Sequence, residues 1–154
     1  MNVRLLLTPL LAAGLVACSS ASGTEGEECR DWPAYATPEE ALEQADYVIT
    51  ADIVKRVGNE TVFDTEAHAY SVSTKGLPVL KGDDLGHTDL KVISTPQQCS
   101  GGDAYPDGDP LSEKQRVILF LTREGSEGLW RTITPEHGVL PASGSDTLPE
   151  NWPA

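Results

Sequence analysis

The residues best suited to chemistry lie in one acidic stretch, Cys99-Ser100-Gly101-Gly102-Asp103-Ala104-Tyr105-Pro106-Asp107-Gly108-Asp109-Pro110. Asp103, Asp107 and Asp109, with Glu113 close behind, offer the hard carboxylate oxygens that calcium takes. Their spacing does not follow the EF-hand order, and Asp-Gly and Asp-Pro are also ordinary turn dipeptides. A solvated loop is expected here, with a calcium- or metal-dependent binding module as the alternative. His68, His87 and His137 supply imidazoles of the kind a general base or a zinc site needs. They form neither an i,i+4 pair nor a His-Glu-x-x-His pattern, and His87 and His137 sit among turn-forming residues. No Gly-x-Ser-x-Gly elbow positions a serine, and Ala142-Ser143-Gly144-Ser145-Asp146 is only a loose echo of one. No dinucleotide fingerprint or phosphate-cradling loop occurs. With 24 Asp plus Glu in the chain, any chosen carboxylate pair is uninformative about glycosidase chemistry. No catalytic residue, metal ligand or cofactor is assigned, and an unrecognised hydrolase stays as a further alternative.

Any such site needs a frame, and the sequence has mostly strand grammar. One helix is marked by Thr37-Pro38-Glu39-Glu40, an N-cap threonine with proline at the first helical position and glutamate three after the cap. Its small apolar face, Ala41, Leu42 and Ala45, is expected on a sheet edge or over an opening. Tyr47 to Val57 reads as a strand ending at a Gly58-Asn59 turn. Thr61 to Thr74 alternates, Tyr70 and Val72 on one face and Ala67 and Ala69 on the other. Leu90 to Thr95 is a third strand. Arg116 to Thr122, apolar through Val117-Ile118-Leu119-Phe120-Leu121, suits a strand buried on both faces. Arg123 to Gly128 then reads as a hairpin loop leading to Leu129 to Thr134. Trp130 is expected to pack on the core, and Trp32 and Trp152, each before a proline, to pin the two ends; a stacking platform for sugar or peptide is the functional alternative. The stretch from Pro141 to Ala154 is expected to be frayed or draped over the surface.

Composition narrows the function classes. A chain of 154 residues, 39% apolar, can form one domain with a true core and is too apolar for wholesale disorder. Against 11 Lys plus Arg stand 24 acids, a formal charge of -13, so a basic nucleic-acid footprint is absent.

The N-terminus places Arg4 ahead of a mostly apolar run from Leu5 to Val16, as in the n- and h-regions of a secretory signal. That run is shorter than the roughly 20 residues a membrane-spanning helix needs. It ends in Leu15-Val16-Ala17-Cys18, which resembles the lipobox of a bacterial lipoprotein precursor. The resemblance implies cleavage after Ala17, diacylglycerol on the Cys18 sulfur and an amine open to further acylation such as palmitate. Two chains, at about 0.8 kcal/mol per buried methylene, anchor a protein stably where one is marginal. Residues 1–17 are then a cleaved signal and residues 18–28 a lipidated cysteine with a flexible tether. With Cys18 so committed, Cys29 and Cys99 remain as a pair in an oxidising compartment, where a disulfide persists. Two free thiols or a metal pair compete with that reading, but no further Cys or spaced His completes a zinc site.

Five strands and few helical residues point to a mainly β fold, a small five-stranded OB-like barrel with one short N-terminal helix over residues 29–140 and a Pro-containing tail over 141–154. Ala45 to Ala51, Val79-Leu80-Lys81-Gly82, Cys99, Val117 to Leu121 and Gly128-Leu129-Trp130 together resemble bacterial netrin/TIMP-like domains; an immunoglobulin-like sandwich is the alternative. Inhibitors of that family chelate zinc through a free N-terminal cysteine. Cys29 is internal and Cys18 lipidated, so that mechanism does not transfer. The expectation is a lipid-anchored envelope protein whose acidic domain binds another envelope component. Its partners would be the membrane, through the anchor, and an extracytoplasmic protein, not nucleic acid.

Overall fold

One short helix precedes seven strands in the computed structural model, which describes residues 29–86, 89–125, 129–142, 147, 148 and 152. The elements are α1 (Pro38–Gln44), β1 (Tyr47–Val62), β2 (Thr65–Ser73), β3 (Val79–Lys81), β4 (Asp89–Ile93), β5 (Arg116–Glu124), β6 (Leu129–Thr132) and β7 (Val139–Pro141). The segment around Cys18, the tether to residue 28, His87 and residues 143–146 lie outside the described residues. No helix among the described residues is long and apolar enough to cross a membrane.

The sheet runs β3-β1-β2-β4-β6-β5-β7, and β1 pairs with β5 as well. Hydrogen bonding therefore closes a ring through β1, β2, β4, β6 and β5, antiparallel throughout except for β4 beside β6. These are the five strands legible in the sequence. The expected count was nonetheless too low, because β3 and β7 are three residues each and too short to display an alternation. Both attach outside the ring, β3 to Val48 and Ile49, β7 to Val117, Ile118 and Leu119.

Alternation along β1 and β5 sorts two cores. Tyr47, Ile49, Ala51 and Ile53 of β1 point into the ring with Val117, Leu119 and Leu121 of β5, joined by Tyr70, Val72 and Val92 from the neighbouring strands. The intervening residues, Val48, Ile118 and Phe120, point outward and are covered by Ala41 of α1 and its C-cap Ala45, Leu140 of β7 and the tail residues Leu148 and Trp152. β5 is thus buried on both faces, as its unbroken apolar run implied. The helix lies across the outer face of β1 and β5, not on an edge or over an opening. Two alanines let it approach closely, and Lys81 Nζ donates to the last-turn carbonyls of Leu42 and Glu43 at 2.8 and 2.9 Å. At its other end Thr37 accepts from Glu40 N–H, while the Glu40 carboxylate reaches back to Ala36 N–H, one residue before the cap.

The predicted turn at Gly58-Asn59 is not there. β1 continues to Val62, and the chain reverses at Phe63 and Asp64, both with positive φ (50° and 63°). Gly58 instead follows a bulge: β1 skips a partner between Ile53 and Lys55 and again between Arg56 and Gly58. The unpaired residues, Val54 and Val57, are both exposed (40% and 46%), within a stretch of β1 that faces solvent from Val54 to Asn59.

Both ends of the chain's described portion are tied down. Cys29 and Cys99 form a disulfide across a separation of 70 residues, flanked by a backbone bond from Arg30 N to Gln98 O. Trp152 stacks on His137 with ring centroids 5.2 Å apart and donates to Tyr35 O. Trp32 packs beside Phe63, and Trp130 lies against Tyr47 at the ring core. Each of the three tryptophans thus packs against another ring of the domain, and the described tail residues are draped on it.

Candidate functional site

β2 and β4 carry His68 and Tyr70, two apart on one strand, beside Ser94 just past the end of the other. Ser94 N donates to His68 O at 2.9 Å, as the ladder requires. The reciprocal bond is missing because the Tyr105 hydroxyl sits in its place. It accepts from His68 N at 3.0 Å and donates to Ser94 O at 2.8 Å, and its ring lies 4.6 Å from the His68 ring. A side chain from the 94–115 loop thus completes the last rung of a sheet, meeting two backbone groups that would otherwise need a partner.

Asp109 does the rest of the fastening. Its Oδ1 accepts from Ser94 Oγ (2.7 Å) and from Leu111 N (3.0 Å). Its Oδ2 accepts from Tyr70 OH (2.6 Å) and lies 2.7 Å from His68 Nδ1. A carboxylate is acceptor-only, so the imidazole proton sits on Nδ1. The Asp109 side chain is only 6% exposed, and four donors compensate its removal from water. Two residues on, Leu111 is fully buried in the ring core. The Asp109-Pro110-Leu111 step therefore pins the loop by one buried charge cluster and one apolar plug.

Burial, followed by the bond to Asp109 and its charge, pushes the Tyr70 phenol far above its ordinary value. Burial likewise raises Tyr105, with the charge of Asp109 adding to it. Both phenols remain protonated donors. Serine, histidine and aspartate do meet here, but in an order unlike a nucleophilic triad. Ser94 and His68 each bind the carboxylate, on separate oxygens, whereas serine hydrolysis needs the hydroxyl on the imidazole.

The calcium-loop residues are divided among different tasks. Asp109 faces inward, and Asp103 accepts from Tyr105 N within its own turn at 3.0 Å. Asp107 and Glu113 stay exposed. Among the described residues no group of three His, Cys, Asp or Glu converges as metal ligands. The His137 ring is buried between Tyr35 and Trp152, and its backbone N–H donates to Thr134 Oγ1.

Beside this fastening lies an open cleft of about 460 Å³. Tyr105, Pro106 and Pro110 of the loop line it together with Pro135, Val139 and Pro141. The Asp109 cluster and the Leu111 plug were not foreseen from sequence. The usable signal was a lone leucine, Leu111, in a long polar loop.

No family model, curated protein or solved structure matches this chain.

Proposed function

We propose that the protein is a lipid-anchored extracytoplasmic binding module, held to a bacterial membrane through Cys18, that recognises another envelope component without catalysis. The closed ring β1-β2-β4-β6-β5, with its single parallel pair, supports an OB-like, netrin/TIMP-like barrel as the scaffold. The Cys29–Cys99 disulfide supports export to an oxidising compartment. One observation carries the functional reading. The serine and histidine that meet beside the cleft, Ser94 and His68, are both spent on Asp109 in holding the 94–115 loop, while a preformed cleft stands open next to them.

The test is made in cells on the full chain. Metabolic labelling with palmitate should mark the wild-type protein and not Cys18→Ala, and the variant should leave the membrane fraction. Chemical cross-linking of the tagged wild-type protein should then recover a recurrent extracytoplasmic partner. Persistent membrane association of unlabelled Cys18→Ala would overturn the anchor. A serine- or cysteine-directed activity probe that labels the folded protein would overturn the non-catalytic reading.

A further inference from the structure

The cleft beside the loop has a one-sided chemistry. Asp107, Glu113 and Glu136 line it, all three exposed, and no Lys, Arg or His is among its lining residues. Asp109 also borders it but is already bound to four donors. Pro106, Pro110, Pro135 and Pro141 bring walls that have no backbone N–H to offer. Gln97, Ser112 and Gln115 add neutral polar side chains, but every charge on the lining is negative, with apolar stretches between the carboxylates. An occupant must therefore supply donors, positive charge and some apolar area.

We propose that this cleft docks an extended, lysine- or arginine-bearing segment of an extracytoplasmic protein. The inference rests on the binding-module reading above and names the partner's chemistry. Charge complementarity selects the cation, since three unpaired carboxylates would repel phosphate or an anionic lipid headgroup. Apolar walls and proline rings favour aliphatic side chains alternating with the basic ones, as an extended strand presents them. The site is also prearranged. Tyr105 is held at both its hydroxyl and its ring, Asp109 is fixed, and Cys99 ties the loop's start to Cys29. Little ordering would remain for the moment of binding.

The experiment uses the full chain in detergent micelles and a fluorescent peptide alternating Lys and Val, followed by anisotropy. The cleft variant is Asp107→Asn/Glu113→Gln/Glu136→Gln. A control of equal charge, Glu39→Gln/Glu43→Gln/Glu66→Gln, changes exposed acids on α1 and β2. The proposal expects the cleft variant to weaken binding about tenfold or more and the control to weaken it less than about threefold. A peptide alternating Glu and Val should not bind, and spermidine should compete only weakly, because it lacks the apolar side chains. Equal losses in the two variants would reduce the effect to bulk charge and overturn the proposal. So would absence of peptide binding, or spermidine binding as tightly as the peptide. Unchanged thermal melting confirms that the variants fold. The underlying reading fails differently, by loss of palmitate labelling or labelling of a nucleophile. If the cleft variant still cross-links its cellular partner as wild type does, the module stands and this docking site falls.

Discussion

Asp109 shows how one side chain can decide the shape of a long loop. Its two oxygens gather a hydroxyl and an amide on one side, a phenol and an imidazole on the other. Asp109→Ala would leave those donors buried without an acceptor, and a cost of about 3 kcal/mol or more is expected from urea unfolding. Asp109→Asn keeps one acceptor oxygen but turns an NH2 toward groups that themselves donate, so it should recover less than half of that loss. Recovery of full stability by the asparagine variant would refute the donor assignment. Tyr105→Phe isolates the inserted rung. It should cost about 1–2 kcal/mol and speed amide exchange at His68, while leaving the Asp109 bonds intact. None of this was legible in the sequence. Asp-Pro reads as turn chemistry, and the side-chain partners of Asp109 lie 41, 39 and 15 positions away along the chain. Only the fold brings them together.

At the scale of elements, the helix and the five ring strands were readable because their patterns are local: a threonine cap, an alternation, an apolar run. The first hairpin was misread because packing overrode turn preference. Two-residue hairpins with positive φ at both positions favour Asn-Gly, yet Phe63 and Asp64 occupy them. Phe63 stays because its ring packs 5.9 Å from Trp32 and lies 3.9 Å below the Arg30 guanidinium. Asp64→Gly should therefore stabilise the domain by about 0.5–1 kcal/mol. Phe63→Asn should destabilise it despite the better turn residue, since it forfeits those contacts. Calorimetric melting of both variants would compare the two forces directly, and a stabilising Phe63→Asn would contradict the packing account. A second close contact was also invisible in sequence. A Cβ on Gly138 would come within 2.4 Å of Thr132 Cβ and 2.7 Å of Thr134 O. Neither a β-branched strand residue nor a backbone carbonyl yields easily, so Gly138→Ala is expected to cost about 1–3 kcal/mol.

For the molecule as a whole, the net charge of -13 says which partners are repelled, but the limits of stability come from a few groups at defined positions. Asp46 accepts from Arg123 N–H first and Thr122 OH second, which holds its carboxyl below the usual range. Asp52 is held down by the Arg116 side chain, through bonds of 2.8 and 2.9 Å. In the unfolded chain both return to about 3.9 and bind protons sooner, so stability rises with pH there. Their contribution is present above about pH 4 and is lost as pH falls toward the folded values; the exposure of both groups keeps this limb shallow. Tyr70 has the opposite sign. Burial and Asp109 raise it above the unfolded value near 10, so the folded state keeps its proton longer. That contribution is complete below about pH 10 and declines as pH rises beyond it, because a phenolate cannot donate to Asp109. Urea midpoints measured from pH 3 to 11 should thus form a plateau between roughly pH 5 and 9 with an alkaline limb steeper than the acid one. Tyr70→Phe should lower the plateau by about 1.5 kcal/mol and flatten the alkaline limb, while Asp46→Asn should flatten only the acid limb. An alkaline limb unchanged in Tyr70→Phe would shift its origin to the other phenols that burial raises, Tyr35, Tyr47 and Tyr105, and remove Tyr70 from the account.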